Sequence, residues 1–298
     1  MSRVLLTGAS GFVGRHALTS LASAGHEVHA VARSRGADVD GVAWHEADLL
    51  AGTVARELVA EVRPELLVHL AWYAEHGRFW SSPLNVRWVE ASLALLRAFV
   101  DAGGRRAVMA GTCAEYEWSR DVYPENASLG PATLYGAAKH GLHTVAAGYA
   151  QQVGLSLAWG RLFFLYGPGE DERRFVPSIV LPLLRGEPAE MTAGTQVRDF
   201  LHVADAGGAF AALADSDVTG AVNLATGSSA TLRALALEIA GQIGAAELLR
   251  IGARPMPAAD PPSLVADVRR LREEVGWRPQ VGIAEGLGQA IAWWRERG

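Results

Sequence analysis

A single cysteine, Cys113, stands among the 298 residues, so an intrachain disulfide is impossible and a multi-cysteine metal site is excluded. That usage fits a reducing compartment, and the cytoplasm is the expected location. Neither sign of charge dominates: 27 basic and 32 acidic residues, mixed along the chain, leave a formal net charge of -5. Such a distribution offers no broad cationic face for nucleic acid or an anionic lipid surface, and neither is expected as a partner. Long hydrophobic runs are missing as well. Met1-Ser2-Arg3 leads straight into an apolar strand of a few residues, far short of a signal segment or of the roughly 20 apolar residues that span a bilayer. Nor is there an internal repeat or a low-complexity tract, which removes solenoids and disordered tails from consideration. A chain of this length buries enough apolar surface to fold without metals or disulfides.

Short apolar runs alternate with amphipathic stretches from Arg3 to about Ala225, the pattern of parallel strands joined by crossover helices. The runs Val4-Leu6, Glu27-Val31, Leu66-Leu70, Arg106-Ala110, Ser156-Arg161 and Ala221-Ala225 are expected strands. Gly14-Ser23, Pro83-Ala102 and Leu134-Gln152 read as helices. After Tyr166 the composition changes: Gly167-Pro168-Gly169, Pro177, Pro182 and Pro188 interrupt the pattern, and Pro255 to Pro262 forms a proline-rich connector. The expectation is an α/β chain in which residues 1–165 form a dinucleotide-binding domain, 197–226 return to it, and 166–298 are mostly a smaller substrate-binding lobe.

Thr7-Gly8-Ala9-Ser10-Gly11-Phe12-Val13-Gly14 follows a strand and opens a helix. In that setting glycines allow a tight turn and a close approach of backbone N–H groups to a pyrophosphate, which the helix N-terminus also attracts. A Rossmann-type doubly wound sheet is the fold this implies. Cofactor choice is read at the end of the second strand, where a carboxylate favours NAD and an arginine accommodates the extra phosphate of NADP. The chain there reads Ala32-Arg33-Ser34-Arg35, with no acid. Arg33 and Ser34 are suited to a 2′-phosphate, so NADP(H) is expected, with NAD(H) the alternative; the bland reading leaves both arginines as solvated loop residues.

Tyr135-Gly136-Ala137-Ala138-Lys139 places a phenol and an ammonium at i and i+4, on one face of a helix. A phenol with a pKa near 10 exchanges protons poorly at neutral pH unless a nearby positive charge supports the phenolate, and Lys139 is placed to supply it. Thr112 follows the strand at Met109-Ala110-Gly111, at a C-terminal strand end of the kind where open α/β sheets bind ligands. Trp72-Tyr73-Ala74-Glu75-His76-Gly77-Arg78-Phe79-Trp80 adds aromatic rings just after the strand ending at Ala71; they either stack on a ligand or pack the loop.

These segments together resemble the extended short-chain dehydrogenase/reductases of the NAD-dependent epimerase/dehydratase family, which act on nucleotide sugars. The resemblance is carried by Thr7 to Gly14, Asp48, His69-Leu70-Ala71, Thr112 and Tyr135 to Lys139. It continues through Tyr166-Gly167-Pro168-Gly169, Arg198-Asp199-Phe200-Leu201-His202-Val203 and Val275-Gly276-Trp277-Arg278-Pro279. It implies that Tyr135 is the acid/base, that Lys139 lowers its pKa and holds the nicotinamide ribose, and that Thr112 orients the carbonyl. The cofactor groove would be lined by Gly8, Ser10, Gly11, Phe12, Val13, Arg33, Ser34, Asp48, Leu49, Leu70, Ala71 and Trp72, with Gly14 closing the turn. Substrate contacts would come from Trp80, Thr112, Phe164, Val176 and Arg198, the last gripping a diphosphate unless it is spent on an ion pair with Asp199 or another acid. A homodimer is also implied.

Two departures from the family pattern narrow the reaction. The 4,6-dehydratases it resembles carry Asp-Glu directly after the threonine, whereas Cys113 and Ala114 stand here and cannot do carboxylate acid/base work; Glu115 is one residue out of register. The family's Arg-x-Phe-Asn is replaced by Arg161-Leu162-Phe163-Phe164, which removes an asparagine contact to the substrate. With dehydration set aside, Arg33-Ser34 in place of a carboxylate points toward exchangeable NADPH rather than a retained cofactor, so reduction of a keto group, at C4 of a deoxysugar nucleotide, with a proton from Tyr135 is the leading expectation. A nucleotide-sugar epimerase with retained cofactor and a non-catalytic NADP-binding relative are the alternatives.

Overall fold

The computed structural model describes residues 1–257 and 260–297; Ala258 and Ala259 of the expected connector, and Gly298 of the expected lobe, lie outside the described residues. The first part of the chain runs β1 (Arg3–Thr7), α1 (Gly14–Ser23), β2 (Glu27–Ala32), β3 (Val42–Glu46), α2 (Val54–Val62), β4 (Leu66–His69), α3 (Leu84–Asp101), β5 (Arg106–Thr112), β6 (Val122–Tyr123), α4 (Leu134–Val153) and β7 (Ser156–Leu162). It continues with β8 (Phe164–Tyr166), α5 (Phe175–Leu184), β9 (Ala189–Met191), β10 (Val197–Arg198), β11 (Phe200–His202), α6 (Val203–Asp215) and β12 (Gly220–Leu224). Then come β13 (Ala230–Thr231), α7 (Leu232–Ile243), β14 (Leu249–Ile251), β15 (Ser263–Ala266) and α8 (Ile283–Arg295).

Seven strands form one parallel sheet in the order β12-β7-β5-β4-β1-β2-β3. Alternation along the strands feeds two apolar layers, because successive side chains leave opposite faces. Val4, Leu6, Ala30, Val68 and Val108 pack with α1 and α6 on one face, while Leu5, Val31, Leu67, Met109 and Trp159 pack with α2, α3 and α4 on the other. This is the doubly wound α/β architecture expected. The order of strands reverses between β1 and β4, and the crevice at such a reversal is where open α/β sheets take their ligands.

The rest of the chain builds a third apolar cluster from α5, α7 and α8, with Tyr166 and Phe200 at its edge, flanked by the sheet β13-β10-β15-β6 and the pairs β8/β11 and β9/β14. Pro177 and Pro182, expected to break the pattern, are instead taken up in α5. Pro177 stands in the first turn, where its missing N–H has no helical partner to lose, and the buried run Val176, Ile179, Val180 and Leu183 holds the helix against its cluster. No helix among the described residues is long and apolar enough to cross a membrane.

Candidate active site

The turn from β1 into α1 closes on itself so tightly that only glycine fits at two of its positions. Gly8 has φ +71, and a Cβ there would lie 2.8 Å from the backbone nitrogen of Ala71 on the neighbouring strand end; one at Gly14 would lie 1.9 Å from the carbonyl oxygen of Gly8. α1 begins without a side-chain cap and without an acid in its first turn, so its positive end is neutralised by nothing within the helix. A bare backbone cradle at a helix N-terminus, beside the strand-order reversal, fits a dinucleotide pyrophosphate. Phe12 and Val13 flank it, and Arg15 reaches from α1 to the carbonyl of Pro168 while its guanidinium lies 5.5 Å from the Phe12 ring centre.

At the end of β2, Arg33 and Ser34 are exposed, while Arg35 is paired with Asp38. Gly36 brings this loop against Trp44 and Ser10. Asp48 is exposed and its carboxylate accepts the Leu50 amide at 3.0 Å; Leu49 is buried beside it. On β4, His69 joins Thr7 Oγ1 (2.7 Å) to Ser92 Oγ (2.8 Å), and burial draws its pKa down to about 3, so the ring is a neutral strut between β1, β4 and α3.

The end of β5 and the start of α4 carry Thr112, Tyr135 and Lys139, the residues expected to do chemistry. Thr133 caps α4 by accepting the Gly136 amide, and the Tyr135 amide donates to the Trp80 carbonyl at 3.0 Å, which ties the helix start to the aromatic loop. Lys139, one turn on, is buried; its ammonium donates to the Ala110 carbonyl at 2.8 Å and lies 3.7 Å from the Trp72 ring centre. Burial draws its pKa down to about 7 against the opposing charge of Glu115. Burial pushes the Tyr135 hydroxyl up from the ordinary tyrosine range, and the Thr112 side chain pulls it back. The ammonium is held by Ala110 and Trp72, and the Arg174 charge also draws the Tyr135 pKa down, less than Thr112 does.

Rings crowd the Tyr135 side chain edge-on: Phe79 at 4.9 Å, Trp80 at 5.8 Å and Trp72 at 6.5 Å between centres. The loop therefore packs on the candidate acid/base itself, with Trp80 still 39% exposed at the rim. Cys113 and Ala114 are buried behind Thr112, and burial pushes the Cys113 thiol up to about 12, which leaves it an inert small hydrophobe. Glu115 is fully buried and accepts from the Thr112 amide (2.8 Å), Trp159 Nε1 (2.9 Å) and Arg161 Nε (2.9 Å), so it is a structural anion.

The other expected contact residues have partners within the protein. Arg198 is buried, paired with Asp260, and lies 5.3 Å above the Phe164 ring centre. The ion pair expected as its alternative role is thus present, but not with Asp199, whose carboxylate is taken by Thr226 and the Gly227 amide. Val176 is buried in the α5 cluster. His76 is half-buried, and burial lowers its pKa. Three features went unread in the sequence. Asn85 is fully buried and braces the aromatic loop, and Glu170 is buried with one carboxyl oxygen unpartnered and its pKa pushed up to about 8 by that burial. The third is compositional: Lys139 is the only lysine in a chain whose other basic residues are all arginine. That signal was available, since arginine cannot replace a compact ammonium whose pKa shifts on burial.

The profile of the NAD dependent epimerase/dehydratase family matches residues 4–225. UDP-glucuronic acid decarboxylase 1 of Danio rerio is 28% identical over 306 residues, covering 97% of this chain and 72% of its own. UDP-glucose 4-epimerase of Rhizobium leguminosarum bv. trifolii is 26% identical, covering 97% of this chain and 96% of its own. Among solved structures, MoeE5 in complex with UDP-glucuronic acid and NAD is 30% identical, superposes with a TM-score of 0.87, and covers 99% of this chain and 100% of its own.

Proposed function

The chain belongs to the NAD dependent epimerase/dehydratase family, and from that premise we propose that it inverts a hydroxyl-bearing ring carbon of a nucleotide-activated sugar, C4 by preference. The observation that carries this reading is a lone proton-transfer residue: Tyr135 stands beside Thr112 with no free carboxylate after it, because Cys113 and Ala114 occupy those positions and Glu115 is locked in a buried ion pair. Water elimination asks for a further acid and base, whereas epimerisation asks for one group that takes a proton from the hydroxyl and returns it to the same oxygen. Tyr135 does this while Thr112 holds the oxygen by a hydrogen bond. Gly8, Gly11 and the open start of α1 would hold the pyrophosphate of a nicotinamide dinucleotide, with Asp48 toward the adenine. Bound there, the nicotinamide supplies the acceptor, and then the donor, of the carbon-bound hydrogen.

The epimerase and decarboxylase relatives support this reading better than the reduction expected from the sequence. Incubation with UDP-glucose, UDP-glucuronic acid and a thymidine-diphospho-4-keto-6-deoxyhexose plus NADPH, analysed by anion-exchange chromatography and cofactor absorbance, separates the two. Epimer formation at constant absorbance supports the proposal; stoichiometric loss of NADPH makes the protein a ketoreductase.

A ketoreductase remains the second reading because of Arg33, which is exposed and has no ion-pair partner among the described residues. If it binds the 2′-phosphate of NADP, Arg33→Ala lowers affinity for NADPH about tenfold or more while sparing NADH, the loss of one charge-assisted contact. An unchanged ratio of the two affinities by calorimetry removes Arg33 from cofactor choice. The homodimer implied by the resemblance would use the outer faces of α3 and α4, where Val86 and Val145 are half exposed; Val145→Glu is expected to yield monomers by light scattering.

A further inference from the structure

We propose that Trp72 is a positioning residue for Lys139: its indole face seats the ammonium and, through Asn85, binds that seat to the loop that packs on Tyr135. The inference rests on the reading that Lys139 belongs to the reacting site. Its support is a closed circuit of contacts. The Lys139 ammonium lies 3.7 Å from the Trp72 ring centre. Trp72 Nε1 donates to Asn85 Oδ1 at 2.9 Å, and Asn85 Nδ2 donates to the carbonyls of Phe79 (2.7 Å) and Ser82 (2.9 Å). Trp80 in that loop accepts the Tyr135 amide at 3.0 Å, which returns the circuit to the helix bearing Lys139. Trp88 stacks behind Trp72 at 6.0 Å between centres.

The seat answers an electrostatic problem. A buried ammonium ordinarily needs a counter-ion, yet Lys139 forms no salt bridge among the described residues. The titratable groups around it are Tyr135 and His143 on its own helix, Glu115 and Cys113 beyond β5, and the neutral His69 on β4. A carboxylate in van der Waals contact with Lys139 would keep it charged but would also push the Tyr135 phenol further up. An indole face attracts the cation through its quadrupole and brings no net charge to bear on Tyr135.

Because Lys139 is the only lysine, protein grown with lysine labelled at Cε gives one NMR signal that reports this site alone, without cofactor or substrate. In the wild type the attached protons are expected well upfield of those of an exposed lysine, displaced by the indole ring current. Trp72→Leu, which keeps the site apolar, is expected to remove that displacement and lower the titration midpoint by about one pH unit, a tenfold loss in proton affinity; Trp72→Phe retains most of it. Protons at the exposed-lysine position in the wild type overturn the proposal even if no variant folds. So does a midpoint in Trp72→Leu that is unchanged or raised, since the indole then only fills space. Should the NMR outcome hold while no nucleotide sugar turns over, the seat stands and the functional reading fails.

Discussion

Tyr135→Phe is expected to lower turnover of the nucleotide sugar by about 10²–10⁴-fold, the usual worth of a positioned acid/base, with KM changed only a few fold. The substitution removes one oxygen and leaves the ring, and the neighbours of Tyr135 that hold it, Phe79, Trp80 and Trp72, touch that ring edge-on. Folding and cofactor binding should therefore survive, which makes the loss a measure of what the Tyr135 hydroxyl contributes. Lys139→Arg is expected to be no rescue of the site. A planar guanidinium cannot take the place of an ammonium held 2.8 Å from the Ala110 carbonyl and 3.7 Å under the Trp72 ring. Initial rates over a range of substrate concentrations decide the matter: a Tyr135→Phe protein within tenfold of wild type in kcat takes Tyr135 out of the chemistry.

The parts legible in the sequence were those whose physics is local. The strands of the central sheet are buried on both faces, so they show as apolar runs, and the glycine turn declares itself because no other residue fits Gly8 or Gly14. β3 does not show as an apolar run, because it lies at the edge of the sheet and reads Val-Ala-Trp-His-Glu, ending on two polar residues. Tyr135 and Lys139 were legible from a spacing of one helical turn. The partners of Lys139 were not, since Trp72 and Ala110 come from other strand ends. Asn85 looks like an ordinary polar residue at a helix start, and its burial follows from a loop closing over it. The aromatic stretch in sequence allows either a ligand platform or loop packing; the rings pack, and what they pack on is Tyr135. Glu115 was recognised as out of register for dehydration, but its true partner, Arg161, is 46 residues away on β7.

That pair is expected to give the largest effect on stability. Glu115 and Arg161 meet at 2.9 Å with essentially no solvent access to either side chain. Arg161 also donates to the Tyr116 hydroxyl (3.1 Å) and the Glu125 carbonyl (3.0 Å), Tyr116 donates to Asn223 on β12 (2.7 Å), and Asn223 reaches the carbonyls of Tyr123 and Asp267. One buried network thus fastens β5, β7 and β12 to the segments around β6 and β15. Glu115→Ala strands a guanidinium in the core and leaves the Thr112 amide and Trp159 Nε1 without their acceptor, so a loss of about 3–5 kcal/mol is expected, a large part of the ~5–15 kcal/mol that holds a typical protein folded. Arg161→Leu alone strands the carboxylate and should cost a similar amount. The double variant, in which neither charge is left buried alone, is expected to be more stable than the sum of the two losses by about 1–3 kcal/mol. Urea denaturation of the four proteins closes the cycle. Additive losses would show that each residue acts by itself and that the charges are not compensating one another; a double variant that recovers toward the better single one identifies the pair as the electrostatic joint beneath Thr112.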